Sequence, residues 1–175
     1  MKKLLLSALA VCAFTFSNAQ EDEKSTSSAL SQGSIVVEAN TGSWTTGNTA
    51  FSLSSVDGDT AYNFGVEGGY FIMDNLAIKA GLGYGDASSE DDIDGTFTYK
   101  VGAKYYAMGK FPVGVDYTGT STDGEAVSYV GLQGGYAWFV ADNISVEPTV
   151  RYNVTLDDEK AESGFQGLIG FALHF

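Results

Sequence analysis

Residues 61–84 read AYNFGVEGGYFIMDNLAIKAGLGY, and the fold follows from how this stretch alternates. Tyr62, Phe64, Val66, Gly68, Tyr70 and Ile72 fall on one side of a period of two, then Leu76, Ile78, Ala80, Leu82 and Tyr84 do the same. Most of their neighbours are small or charged, among them Gly65, Glu67, Gly69, Lys79, Gly81 and Gly83. Successive side chains of a strand point to opposite faces, so this is two strands with one apolar face. Met73-Asp74-Asn75 joins them as a short turn.

The same period runs outward from Ser34 to the end. It predicts eight strands at Ser34–Thr41, Ala61–Ile72, Asn75–Tyr84, Thr96–Ala107, Phe111–Thr118, Val127–Phe139, Ile144–Thr155 and Gly164–Phe175. No position on the apolar face carries a charge. The opposite face holds Glu38, Glu67, Lys79, Lys100, Lys104, Asp116, Glu147 and Arg151 among many glycines. Four acids meet four bases, so this face is neutral in sum.

The choice of inner face decides the class. A soluble barrel would turn its apolar face inward. An eight-stranded barrel has an interior only wide enough for side chains to fill, and this aromatic face is too bulky for it. Turned outward, the apolar face meets lipid, and glycines with a balanced ion set fill the lumen. The reverse arrangement in a membrane would aim eight charges at lipid, at about 2–4 kcal/mol for each base near the midplane. Aromatic residues add a second sign. Tyr62, Tyr84, Phe97, Tyr117 and Tyr152 gather near one end of the strands, and Tyr70, Tyr105, Phe111, Tyr136, Trp138 and Phe175 near the other. Aliphatic residues lie between, as in a membrane barrel with two aromatic girdles. The predicted fold is therefore an all-β, eight-stranded antiparallel up-and-down transmembrane β-barrel.

Connections alternate in length as well. Met73–Asn75, Met108–Lys110 and Ala141–Asn143 are short, whereas Gly42–Thr60, Asp86–Gly95, Gly119–Ala126 and Leu156–Ser163 are longer and polar. This suits eight strands with both termini on the periplasmic side. A hairpin also repeats. Gly68-Gly69-Tyr70, Asp74-Asn75 and Tyr84 recur as Gly134-Gly135-Tyr136, Asp142-Asn143 and Tyr152, displaced by 66 residues at the first element and 68 at the others. An even insertion keeps every later side chain on its own face. Pro148 falls inside the seventh strand, where it has no N–H to give the ladder, and a bulge is expected there, or a local break in the pairing.

The start of the chain stands apart. A basic Met1-Lys2-Lys3, an apolar run from Leu4 to Phe16 and small residues at Ser17 and Ala19 read as a cleaved signal peptide over 1–20. The Ser- and charge-rich stretch 21–33 has no period and is expected to be disordered, leaving 34–175 for the barrel. Cys12 is the one cysteine, so the mature chain has no thiol chemistry. A net charge of −13 argues against nucleic acid as a partner.

On these residues the chain resembles the small outer-membrane β-barrel proteins of the OmpA/OmpX type. The ending Gly170-Phe171-Ala172-Leu173-His174-Phe175 is similar to the C-terminal signal read by that family's assembly machinery. The resemblance implies that Phe171, Leu173 and Phe175 carry that signal, that outer-membrane lipid and the assembly machinery are partners, and that the chain lies in the outer membrane of a Gram-negative bacterium.

The enclosed charges are the candidate functional residues. They should pair with one another, because an enclosed unpaired charge is costly. Such a network either plugs the lumen or exchanges partners as the gate of a narrow ion-conducting pore; the plug is the expected role, within a structural or surface-interaction barrel. Catalysis is not expected: the one histidine, His174, is at the periplasmic rim, solvated or packed, with no lipid substrate in reach. No cofactor or metal site is expected. Glu90, Asp92, Asp94 and Gly95 approximate the start of a calcium loop, but its closing position falls on Val101. Trp44 and Phe51 stand out in the first long connection as a possible loop contact for an external ligand that the sequence does not identify.

Overall fold

The computed structural model describes residues 29–42, 49–56, 59–88, 95–122 and 124–175. They form ten antiparallel strands: β1 (Ile35–Asn40), β2 (Ser52–Val56), β3 (Asp59–Met73), β4 (Leu76–Ser88), β5 (Thr96–Ala107), β6 (Phe111–Thr122), β7 (Glu125–Gly135), β8 (Trp138–Ala141), β9 (Ile144–Thr155) and β10 (Gly164–His174). Each of β3, β4, β5, β6, β7 and β9 pairs with the next of the series, and β9 pairs with β10. β1 lies between β10 and β3 and closes the ring. At the join, the N–H of Ile35 donates to the Phe175 carbonyl at 2.9 Å and the N–H of Phe175 donates back at 2.8 Å. β2 extends the wall beside the upper part of β3, and β8 continues the line of β7 along β9. The result is a closed eight-stranded barrel, the predicted class.

Closure matters because, among the described residues, β1, β3, β4, β5, β6, β7, β9 and β10 each have a partner on both sides, so the wall they form is a ring and not a sheet with two open edges. Alternation then sorts the side chains. Val66, Ile78, Val101, Val115, Leu132, Val150 and Ile169 are exposed on the outer wall, while their sequence neighbours Glu67, Lys79, Lys100, Asp116 and Arg151 are buried in the lumen. On β9, Val150 is 62% exposed and Arg151 0%.

The turns behave as their residues require. Asn75 and Met108 take left-handed backbone angles, at φ 66° and 52°, and Gly109 follows Met108 at φ 69°. Asparagine and glycine tolerate that region, whereas Met108 adopts it under strain set by the reversal.

Three expectations are corrected. The strand expected over Val127–Phe139 is interrupted after Gly135 and resumes at Trp138. The link expected over Gly119–Ala126 is mostly strand, since β6 and β7 stay paired to Thr122 and Glu125. No bulge forms at Pro148. Gly135 opposes Thr149 and Trp138 opposes Val146, three residues on along one strand and three back along the other, so the register passes through unchanged. Tyr136 donates its N–H to the Pro148 carbonyl at 3.1 Å, and the return bond cannot be made because proline has no N–H. Loss of that one bond interrupts the pairing without shifting it.

Of the stretch 21–33, residues 21–28 lie outside the described residues, as does the expected signal peptide. Ala29 to Gly33 pack across the turn end of the barrel. Leu30 is buried among Val36, Phe71, Ala77 and Tyr106. Its carbonyl accepts the Asn75 N–H at 2.7 Å, and the Gln32 N–H donates to the Asp74 carboxylate at 2.8 Å.

Candidate functional site

Each of the eight charged residues singled out by the alternation points inward and is at most 9% exposed. They divide into two groups. In the larger, carboxylates and ammoniums alternate. Lys100 lies 2.7 Å from Glu67 Oε1, and Lys79 2.7 Å from Glu67 Oε2. Lys79 also pairs with Glu38 Oε2, Lys104 with Glu38 Oε1, and Lys104 again with Glu147 Oε2. Glu147 Oε1 accepts from the Tyr106 hydroxyl at 3.0 Å and from Ser145 at 2.8 Å. The second group is a forked pair. Arg151 Nη2 donates to Asp116 Oδ1 at 2.6 Å, Nη1 reaches Oδ2, and Nε donates to Asn153 Oδ1 at 2.6 Å. Thr118 adds a bond to Asp116 Oδ1 at 2.9 Å.

Neighbouring strands bring these groups together because lumen-facing glycines leave room for them. A Cβ on Gly81 would stand 2.7 Å from Glu67 Cγ. One on Gly69 would stand 2.8 Å from Val36 and 3.0 Å from Lys79. One on Gly131 would overlap the Arg151 guanidinium, and one on Gly102 would overlap Asp116. Burying charge is tolerable only where partners replace water, and here each carboxylate oxygen has a donor.

Two further layers bound the ion network. Toward the turns, Phe71, Tyr106, Phe139 and His174 form a floor. Their ring centres lie 6.0 Å apart for Phe71–Tyr106, 6.1 Å for Tyr106–His174 and 5.3 Å for Phe139–His174. His174 is 1% exposed, and its Nε2 is 3.2 Å from Ser145 Oγ. It is packed at the rim and not solvated. Toward the long connections, Thr49 and Ala50 fold back into the lumen and are buried. Thr49 bonds Glu67, and the Asn63 amide donates to the Ala50 carbonyl. A Cβ on Gly65 would stand 2.9 Å from the Ala50 nitrogen, so that glycine admits the returning chain.

The floor carried a signal in the sequence. Tyr70-Phe71, Tyr105-Tyr106 and Trp138-Phe139 are adjacent bulky pairs beside short turns, so one member of each must face inward. The hairpin repeat holds here as well: Phe71 and Phe139, Lys79 and Glu147, and Tyr106 and His174 are each 68 residues apart, and all line the lumen. Nothing in the Ser/Thr/Gly-rich first connection distinguishes Thr49 and Ala50.

The remaining candidate residues lie elsewhere. Phe171, Leu173 and Phe175 face outward on β10 and just past its end. Phe51 is exposed beside the lumen mouth, its N–H donating to the Asn40 carbonyl at 2.7 Å. Trp44 lies outside the described residues, as do Glu90, Asp92 and Asp94. Among the described residues no group of three or more histidine, cysteine or acidic side chains is placed to hold a metal.

No family model and no curated protein matches the chain. Solved structures do. The N-terminal β-barrel domain of Pseudomonas aeruginosa OprF superposes with a TM-score of 0.53 at 16% identity, covering 82% of this chain and 98% of that domain. Neisserial surface protein A matches at 0.44 and 11% identity, over 81% of this chain and 96% of its own. Ail, the attachment invasion locus protein of Yersinia pestis, matches at 0.42 and 14% identity, over 82% and 99%. The likeness to the OprF domain places the chain in the fold of small outer-membrane barrels.

Proposed function

We propose that the chain is an integral barrel of the bacterial outer membrane, exported through a cleaved signal peptide. Its lumen is filled by side chains, and its role is structural and in surface interaction, without catalysis. The apolar outer wall faces lipid, the short turns face the periplasm, and the long acidic connections face outward. Phe171, Leu173 and Phe175 are the strip by which the assembly machinery takes up the last strand. Phe51 stands exposed at that outward end, where an external ligand would meet the protein.

One observation carries this reading: four acids and four bases, nearly all solvent-excluded, are matched inside an eight-stranded wall. A barrel of this size has little room for water once those side chains are in place. Thr49 and Ala50 stand above the network and Leu30 below it, so both approaches are covered. Conductance of the purified protein in planar bilayers tests the filled lumen. The expectation is no stable single-channel step at neutral pH. Steps that change in size or frequency on Lys100→Ala would show instead a narrow pore controlled by the ion network.

A further inference from the structure

We propose that the outer wall beside the β5–β6 turn is a binding site for one anionic phospholipid of the periplasmic leaflet. An acyl chain lies in a groove on β5 and β6, and the phosphate sits on Lys110. This rests on the reading that the apolar wall faces lipid and the short turns face the periplasm. It adds one place on that wall where a particular lipid is held in preference to others.

The groove comes from the size of one side chain. Leu76, Ala103, Tyr105, Val113, Gly114 and Val115 line a hollow of about 350 Å3. The register sets Ala103 between Ile78 on β4 and Val115 on β6, and Val101 and Tyr105 are its same-face neighbours along β5. All four are larger than alanine and exposed on the outer wall, so the wall dips where Ala103 lies. Apart from the Tyr105 hydroxyl, the side chains around the dip offer only carbon, which suits a hydrocarbon chain.

A cation stands where the headgroup of such a lipid falls. Lys110 is exposed and lies three residues before Val113, about 10 Å at the rise of a strand. The polar layer of a bilayer is about 5–8 Å deep on each side. A lipid with its chain in the groove therefore carries its phosphate near the level of the lysine.

Charge selects the headgroup. Of the three short turns, Met73–Asn75 and Ala141–Asn143 each carry an aspartate, and only Met108–Lys110 carries a base. Among the described residues Lys110 forms no ion pair, whereas Lys79, Lys100, Lys104 and Arg151 are engaged by carboxylates of the lumen. Lys160 belongs to the β9–β10 connection at the opposite end. A lipid with net negative charge thus meets a cation at one turn and carboxylates at the other two. A zwitterionic lipid brings its own cation and gains less from the lysine. The hollow and the single basic turn are independent features, and they fall on the same hairpin.

The test uses the full mature protein folded in dodecyl maltoside micelles, with dioleoylphosphatidylglycerol or dioleoylphosphatidylcholine added and retained lipid counted by native mass spectrometry. The wild type should retain one phosphatidylglycerol at concentrations where phosphatidylcholine is not held. Lys110→Gln should weaken that binding about fivefold, the effect of one lysine beside anionic lipid. Ala103→Leu, which fills the hollow from the lipid side, should weaken it as well, and Lys160→Gln should leave it unchanged. Equal retention of the two lipids by the wild type would overturn the site. So would undiminished phosphatidylglycerol binding in Lys110→Gln or Ala103→Leu, or an equal loss in Lys160→Gln. Folding is read separately, from the heat-dependent gel shift of the same samples. Its absence in the wild type would overturn the membrane reading, whereas a shifted barrel without lipid preference would overturn the lipid site alone.

Discussion

The guanidinium of Arg151 holds both carboxylate oxygens of Asp116, with Nη2 2.6 Å from Oδ1 and Nη1 on Oδ2. The two residues reach each other from β6 and β9 across the intervening β7, over Gly131. Bidentate pairing is stronger and more directional than a point contact, and it is enclosed here. Arg151→Met leaves Asp116 buried without its partner, and a loss of about 3–5 kcal/mol is expected. Urea unfolding in detergent micelles, followed by loss of the folded band on unheated gels, measures it. Arg151→Met combined with Asp116→Leu should recover a large part of the loss.

Gly131 is expected to be as demanding as the pair above it. Gly131→Ala places a methyl where the guanidinium lies, and displacement of the fork should cost about 1–3 kcal/mol. Gly68→Ala is the control, since a Cβ there meets nothing within 4 Å. Unfolding midpoints of the two variants should therefore separate.

Pro148 marks a single missing bond. Pro148→Val supplies the absent N–H opposite Tyr136 and keeps an apolar group on the outward face. The gain should be about 0.5–1.5 kcal/mol, the net worth of one hydrogen bond. Amide exchange across residues 135–138 and 147–149 should slow in the variant and not elsewhere.

Leu30 anchors the strap beneath the floor. It is 2% exposed, and Leu30→Ala should cost about 2–5 kcal/mol by leaving a cavity among Val36, Phe71 and Tyr106. Near-ultraviolet circular dichroism should lose intensity as the Phe71–Tyr106–His174 cluster loosens, with the far-ultraviolet strand signal unchanged.

The barrel could be read from the sequence wherever the two sides of a strand meet different surroundings. Val66 beside Glu67 and Val150 beside Arg151 record lipid on one side and packed charges on the other, and a period of two is the direct result. That contrast fades toward the long connections. The segments Gly119–Thr122 and Glu125–Val127 have largely polar or small residues on both faces, so the alternation ends although the pairing continues to Thr122 and Glu125. The eight enclosed charges were legible because lipid would not accept them. Their partners were not, because period two gives the face of a residue but not its depth. Thr49 and Ala50 were invisible for a different reason: their burial comes from the return of a connection into space left by Gly65, and their own side chains carry no mark of it.

Gel mobility of the detergent-extracted membrane fraction, with and without boiling, tests the central claim most directly. The account predicts a protein that co-fractionates with outer membranes, needs detergent for release, and migrates faster unheated than boiled, as a closed barrel does when detergent leaves it folded. A protein recovered in the soluble fraction without detergent would contradict it, and would mean that the apolar wall is covered by something other than lipid.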